Sequence, residues 1–295
     1  MPISSDFPLE SQYVDVQGSR MHYVETGEGT PILFLHGNPT WSYLWRNVLP
    51  YAAENGRAIA VDLIGMGKSD KPDIDYCFFD HLNYVEGFIN ALDLHDLVLV
   101  LHDWGAGLGI SYARRHPGNV IGIAAMEGVI RPSRWSDANV IQRALFRRMR
   151  HPVKGNRMNM DKNFFVERVI PMMTDRKLSK EERDAYRAPY DTRESRKPVA
   201  VWPREVAFDG DPPDVNAEIA ANYEWYKTVD VPKLFLHATP GIIFKKPAVE
   251  ELEREVDDLE TRLVGKGKHY LPEDQPDEIG RALNDWLPAV VKSVV

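Results

Sequence analysis

Cysteine is nearly missing from this chain. Cys77 is the only one in 295 residues, so no intramolecular disulfide can form, and Cys77 reads as a small, partly buried filler. Long apolar runs are missing as well. No window of about 20 apolar residues is present, so nothing in the sequence is built to span a bilayer. The opening residues, MPISSDFPLE, hold no basic stretch leading into an apolar one, as a secretory signal would. The expectation is a cytoplasmic protein with no membrane partner. A basic excess is also lacking. The 44 Asp and Glu outnumber the 36 Lys and Arg, for a formal charge of -8. That argues against a nucleic-acid partner, since binding to phosphate rests on basic patches. Internal repeats and low-complexity tracts are absent.

What remains is an ordinary globular composition, 43% hydrophobic and 27% charged. The length suits one large core with an inserted subdomain. Ser11–Val16 and Met21–Glu25 flank the turn signal Gln17-Gly18-Ser19 and read as a hairpin. Short apolar runs follow at Pro31–Leu35, Arg57–Val61, Leu97–Leu101, Val120–Met126, Lys233–Ala238 and Thr261–Val264. Helical stretches such as Phe79–Leu92 and Ala106–Arg115 lie between them. Continuous apolar runs suit parallel strands covered on both faces. The pattern is an α/β class, a mainly parallel, doubly wound sheet opened by an antiparallel hairpin. It breaks at about Arg131 and resumes at about Lys233. The gap is rich in charge, aromatics and methionine, and reads as a mostly helical insertion. The charge run Glu250–Glu260 reads as a solvated helix face.

The strongest local feature is VLVLHDWGAGLG, residues 98–109. An apolar strand meets a tight turn of small residues and then a helix, the context of a nucleophile elbow. The serine form is G-x-S-x-G. Here Asp103 takes the central position, Gly105 follows, and Leu101 stands where the first glycine would be. A carboxylate is ionised at neutral pH and needs no base to become a nucleophile. Serine attacking a saturated carbon would leave a stable ether; aspartate leaves an ester that water can cleave. An aspartate elbow therefore points to displacement at saturated carbon, in a halide or an epoxide.

His269, in GKGKHYLPEDQP after the last expected strand, suits a general base that draws a proton from the water attacking that ester. An imidazole base needs an acid to orient it. Of the two loops able to supply one, Thr239–Phe244 holds no acid, whereas the first offers Glu127 at the end of an apolar strand. The loop FLHGNPT, residues 34–40, would give one oxyanion N–H from Asn38, and Trp104 the other. The Trp104 indole and the Asn38 amide also carry uncharged N–H donors suited to a departing halide.

Taken together, HGNPTWSYLWRN, DLIGMGKSDKP, LHDWGAGLG, MEGVIRP and GKHYLPEDQPDEIG resemble the haloalkane dehalogenases, from about residue 10 to 290. The resemblance implies an α/β-hydrolase fold with a helical cap over 131–209 and a core of 1–130 and 210–295. It implies Asp103 as nucleophile, His269 as base, Glu127 as acid, and Trp104 with Asn38 as the halide pair. It implies a halogenated alkane and water as partners, an alcohol, halide ion and proton as products, and no metal or organic cofactor. The oligomeric expectation is a monomer or small homo-oligomer. By motif position Phe146, Phe165, Trp202 and Pro203 are expected to line the substrate pocket or tunnel. Two departures stand out. Lys268 precedes the histidine where the family often has an apolar residue, and Pro272 sits where glutamine is common. Both are expected to alter the tunnel mouth or the histidine loop.

Three rivals remain open at this stage. An epoxide hydrolase would need cap tyrosines as acids, and Tyr186 and Tyr190 are available; Asn38 and Leu101 argue for the halide. The others are a luciferase-type monooxygenase and a non-catalytic, hydrolase-like binding protein.

Overall fold

The structure, a computed structural model, describes residues 3–291. The outermost ends of the two expected core spans, residues 1–2 and 292–295, lie outside the described residues. Among the described residues eight strands form one sheet: β1 (Gln12–Val16), β2 (Ser19–Thr26), β3 (Pro31–Leu35), β4 (Arg57–Val61), β5 (Leu97–His102), β6 (Val120–Met126), β7 (Lys233–Pro240) and β8 (Leu259–Gly267). Their order is β1-β2-β4-β3-β5-β6-β7-β8. The first two pairings are antiparallel and the rest parallel. The antiparallel opening and the parallel run are as the sequence pattern predicts.

Alternation along the central strands divides the core into two layers. Leu33, Leu35, Leu99 and Leu101 point to one face. Ile32, Phe34, Val98 and Val100 point to the other, where they meet Trp45, Leu283 and Leu287. Both faces are covered, which is why these strands read as unbroken apolar runs. The helices that cover them or extend the cap are α1 (Leu49–Ala52), α2 (Phe78–Ala91), α3 (Trp104–Arg115), α4 (Val140–Arg150), α5 (Pro152–Asn156), α6 (Ile170–Met173), α7 (Lys180–Arg187), α8 (Lys197–Glu205), α9 (Pro213–Thr228), α10 (Lys246–Glu255), α11 (Leu271–Asp274) and α12 (Pro276–Val291). Cys77 is partly buried and sits at the N-cap of α2, where its N–H donates to Asp80 Oδ2 at 3.1 Å. No helix among the described residues is long and apolar enough to cross a membrane.

Two elements differ from the sequence reading. β8 runs from Leu259 to Gly267, longer than Thr261–Val264. It is an edge strand carrying Glu260, Arg262 and Lys266, so an apolar run is not its signature. The charge run Glu250–Glu260 is accordingly not one helix. α10 ends at Glu255, Leu252 and Val256 are buried, and Glu260 already belongs to β8.

After β6 the chain leaves the sheet and forms α4 to α8. It closes on itself where Ser133 bridges Phe208 and the Asp209 N–H donates to Ser133 O at 3.0 Å. Side-chain caps start three of these helices: Asn139 Oδ1 accepts from Ile141 and Gln142 N–H, His151 Nδ1 accepts from Val153 and Lys154 N–H, and Ser179 pairs reciprocally with Glu182. α9 then packs back on α3 through Asn222 Nδ2 to Ser111 Oγ (2.6 Å) and Arg114 to Glu218 (2.7 Å).

Candidate active site

β5 ends at His102 and α3 begins at Trp104, so Asp103 alone makes the turn. Its φ of 51° and ψ of -125° lie outside the regions an L-residue prefers. Such strain is tolerated where the flanking strand and helix are both fully packed. Space at the turn comes from glycine. A Cβ on Gly37 would stand 2.4 Å from Asp103 Oδ2, and one on Gly109 would stand 2.5 Å from Leu101 Cδ2. The second contact explains the departure from G-x-S-x-G: room for Leu101 is made one helical turn into α3.

The two oxygens of Asp103 have different surroundings. Oδ2 accepts the Asn38 N–H at 2.8 Å, and the Trp104 N–H also serves the carboxylate. Oδ1 is the one nearer His269, 3.8 Å from Nε2. Asn38 is aimed by its loop. His36 Nδ1–H donates to Gly37 O at 2.9 Å while its Nε2 accepts the Leu63 N–H at 3.0 Å. Burial holds His36 below its usual pKa, in the neutral form this pairing needs. Tyr270 Oη donates to Asn38 O at 3.1 Å. The Asn38 amide nitrogen makes one long contact, 3.4 Å to Val199 O, leaving a second N–H uncommitted.

Glu127 follows β6 with a φ of 41° and is 1% exposed. A carboxylate buried this deeply is costly without donors. It receives them from the loop after β7: Ile242 N–H at 3.1 and 3.2 Å, Ile243 N–H at 2.8 Å and Phe244 N–H at 3.3 Å. Sequence reasoning missed this cradle because backbone donors leave no mark in residue identity. The signal that was available is Thr239-Pro240-Gly241, a tight turn just ahead of it. Glu127 Oε2 lies 3.4 Å from His269 Nδ1, so His269 stands between the two carboxylates.

Electrostatics follow from that line. Burial pushes the Asp103 carboxyl up, against the pull of His269 and the Asn38 and Trp104 N–H groups. For His269 burial disfavours the imidazolium, but the Glu127 hydrogen bond and the Asp103 and Glu127 charges outweigh it and hold the pKa above the ordinary value. Neighbouring His102 is driven far below its usual value by burial and by His269. It is therefore neutral, and its Nε2–H donates to His269 O at 2.8 Å. Among the described residues no group of three or more His, Cys, Asp or Glu is arranged to hold a metal ion.

Asn38, Asp103, Trp104 and His269 meet at the floor of a cavity of about 500 Å³ between sheet and cap. Phe146, Phe165 and Pro203 line it, with Leu145, Met149 and Phe208. Trp202 does not. The expectation that it faces substrate is corrected: it is fully buried behind Trp104, stacked 4.6 Å from that indole and 4.3 Å from His81. A flat ring at that place packs best against another ring, so Trp202 fixes the plane of Trp104.

An aspartate elbow, a buried histidine and a second carboxylate at the ends of a doubly wound sheet define an α/β-hydrolase, and residues 30–276 match the α/β hydrolase fold family. A haloalkane dehalogenase from Mesorhizobium japonicum is 44% identical over 96% of this chain and 93% of its own length. One from Sphingobium indicum is 43% identical, over 93% and 94%. The crystal structure of haloalkane dehalogenase DbeA from Bradyrhizobium elkani superposes with a TM-score of 0.94 at 41% identity, covering 97% of this chain and all of that one. This chain belongs to the haloalkane dehalogenases.

Proposed function

We propose that the chain hydrolyses the carbon–halogen bond of alkyl halides, with Asp103, His269, Glu127, Trp104 and Asn38 as its working residues. The observation that carries the residue assignment is the asymmetry of Asp103. Oδ2 accepts the Asn38 N–H, with the Trp104 N–H also serving the carboxylate, while Oδ1 lies toward His269 in a residue that lines the cavity.

In the first step Asp103 Oδ1 attacks the carbon in line and the C–X bond breaks. The halide leaves toward the Trp104 indole N–H and the free Asn38 amide N–H. Neither donor is charged, so the ion can depart afterwards. The product is an alkyl ester whose carbonyl oxygen is the former Oδ2. In the second step His269 Nε2 takes a proton from water, and the hydroxide adds to that carbonyl. The developing oxyanion already sits on the Asn38 and Trp104 N–H groups. Collapse breaks the bond from the carboxyl carbon to the alkyl-bearing oxygen. That oxygen takes the proton of the newly added hydroxyl to give the alcohol and the carboxylate, and His269 then returns its proton to water. Glu127 orients His269 through Nδ1–H and stabilises its imidazolium. Residues 131–209 serve as the cap, on a core of 1–130 and 210–295. A halogenated alkane and water are the substrates of this reading, and the cytoplasm its location.

The epoxide alternative loses support from the cap tyrosines. Tyr186 and Tyr190 are both buried away from the cavity, and Tyr186 Oη hydrogen-bonds Glu273. The only tyrosine at the cavity wall among the described residues is Tyr270, whose hydroxyl serves Asn38.

The test is halide release from 1-bromobutane, with two variants. Asp103→Ala should release none. His269→Phe should release one equivalent and keep the butyl group, seen as a mass gain on the Asp103 peptide. Steady turnover by either variant overturns the assignment.

A further inference from the structure

Lys268, one of the two residues that depart from the expected pattern, does not point into the cavity. Its Nζ donates to Met172 O at 3.2 Å and to Thr174 O at 3.3 Å. The carbonyl between them, Met173 O, accepts the N–H of His269 at 3.0 Å and of Tyr270 at 3.3 Å. Three consecutive cap carbonyls are thus held by the residues of the histidine loop. The Lys268 N–H donates to Asp274 Oδ2 at 2.9 Å, and Asp274 also accepts from Asp175 and Arg176 N–H, which continue the same cap segment. Met173 itself lines the cavity. One segment therefore touches substrate space with its side chain and the base's backbone with its carbonyl.

We propose that Lys268 is a positioning residue for ester hydrolysis. By holding Met172 O and Thr174 O it sets the height of Met173 O, and through it the backbone of His269. That height matters because His269 reaches its partners only at 3.4 and 3.8 Å. A loop free to drift would lengthen both contacts, and general-base catalysis falls steeply with misplacement. Asp103 is anchored separately, by Asn38 and Trp104, so carbon–halogen cleavage does not depend on the strap. The proposal rests on the two-step reading above.

The experiment is rapid-quench halide release from 1-bromobutane by Lys268→Met, Lys268→Arg and Lys266→Met, beside the unaltered enzyme. Lys266 serves as control: it pairs with Asp175 at 2.9 Å on the same seam but touches none of the three carbonyls. For Lys268→Met the expected result is an unchanged first-turnover rate, then ester hydrolysis slowed about tenfold, the equivalent of one charged hydrogen bond. Alkyl-enzyme accumulates, seen by mass. Lys268→Arg restores most of the second step, and Lys266→Met changes neither. Equal hydrolysis rates in Lys268→Met and the unaltered enzyme overturn the proposal, as does equal slowing of both steps. Absence of any halide release from the unaltered enzyme instead overturns the dehalogenase reading.

Discussion

On the sheet side of the cavity the two carboxylates are held by main-chain N–H groups; the cap is tied down by side chains as well as by the main-chain contacts at Met173 O. Asp103 rests on the N–H groups of Asn38 and Trp104, and Glu127 on those of Ile242, Ile243 and Phe244. The cap joins the core through buried ion pairs. Arg46 meets Glu273 at 2.6 Å and Glu182 at 2.8 Å, Arg176 meets both acids, and Tyr186 donates to Glu273. Main-chain donors belong to strand ends and tight loops, which barely move, so they suit groups that must be placed to a fraction of an ångström. Side-chain ties suit a lid, because they can be broken and remade. The lesson is that chemistry and access are stabilised by different means and should fail differently.

Breaking the sheet side should give the largest effect. Glu127→Gln puts an amide NH2 among three N–H donors and removes the charge facing His269. Turnover should fall about a thousandfold, by analogy with amide replacement of an orienting acid elsewhere. Thermal stability measured alongside should drop far less. A loss under tenfold would mean that Glu127 does not orient the base. Breaking the cap side should instead show in stability. Arg46→Met removes one of the two guanidiniums that Glu273 and Glu182 share, leaving Arg176 and Tyr186 to hold them, which costs about 1.5–3 kcal/mol. Urea unfolding reads it, and a shift under about 1 kcal/mol would show that water replaces the pair.

The pH dependence sharpens the comparison within the sheet side. As the proposed base His269 must be neutral, and its partners hold its pKa above the usual value. As pH falls through that raised pKa, ester hydrolysis should slow about tenfold per unit. The proposed alkylation of Asp103 needs only an ionised carboxylate and should survive to lower pH. Stopped-flow halide release should therefore show a growing burst on acidification; parallel decline of both phases would contradict it. The smallest effect belongs to the cavity wall. Phe165→Leu removes aromatic area without touching a reacting group, so it should move the preferred chain length by a few-fold in kcat/KM. A matched series of 1-bromoalkanes measures this, and a change in ester hydrolysis instead would place Phe165 nearer the chemistry.

Periodicity and local chemistry carried much of this molecule. Strand runs covered on both faces, a turn of small residues, and the carboxylate of Asp103 at that turn can all be read in single file. Glu127 could be chosen by elimination, since Thr239–Phe244 has no acid. Only the fold shows why a buried carboxylate persists there: that same loop turns three N–H groups onto it. A main-chain donor is the same for every residue but proline, so no sequence advertises it. Tertiary structure likewise sent Trp202 behind Trp104 rather than into the cavity, hid the edge strand β8 among charges, and turned Lys268 toward cap carbonyls. Each of these depends on what lies opposite in space across many residues of chain. The chain's own order determines which chemistry is present; the packing of distant segments determines which atoms that chemistry meets.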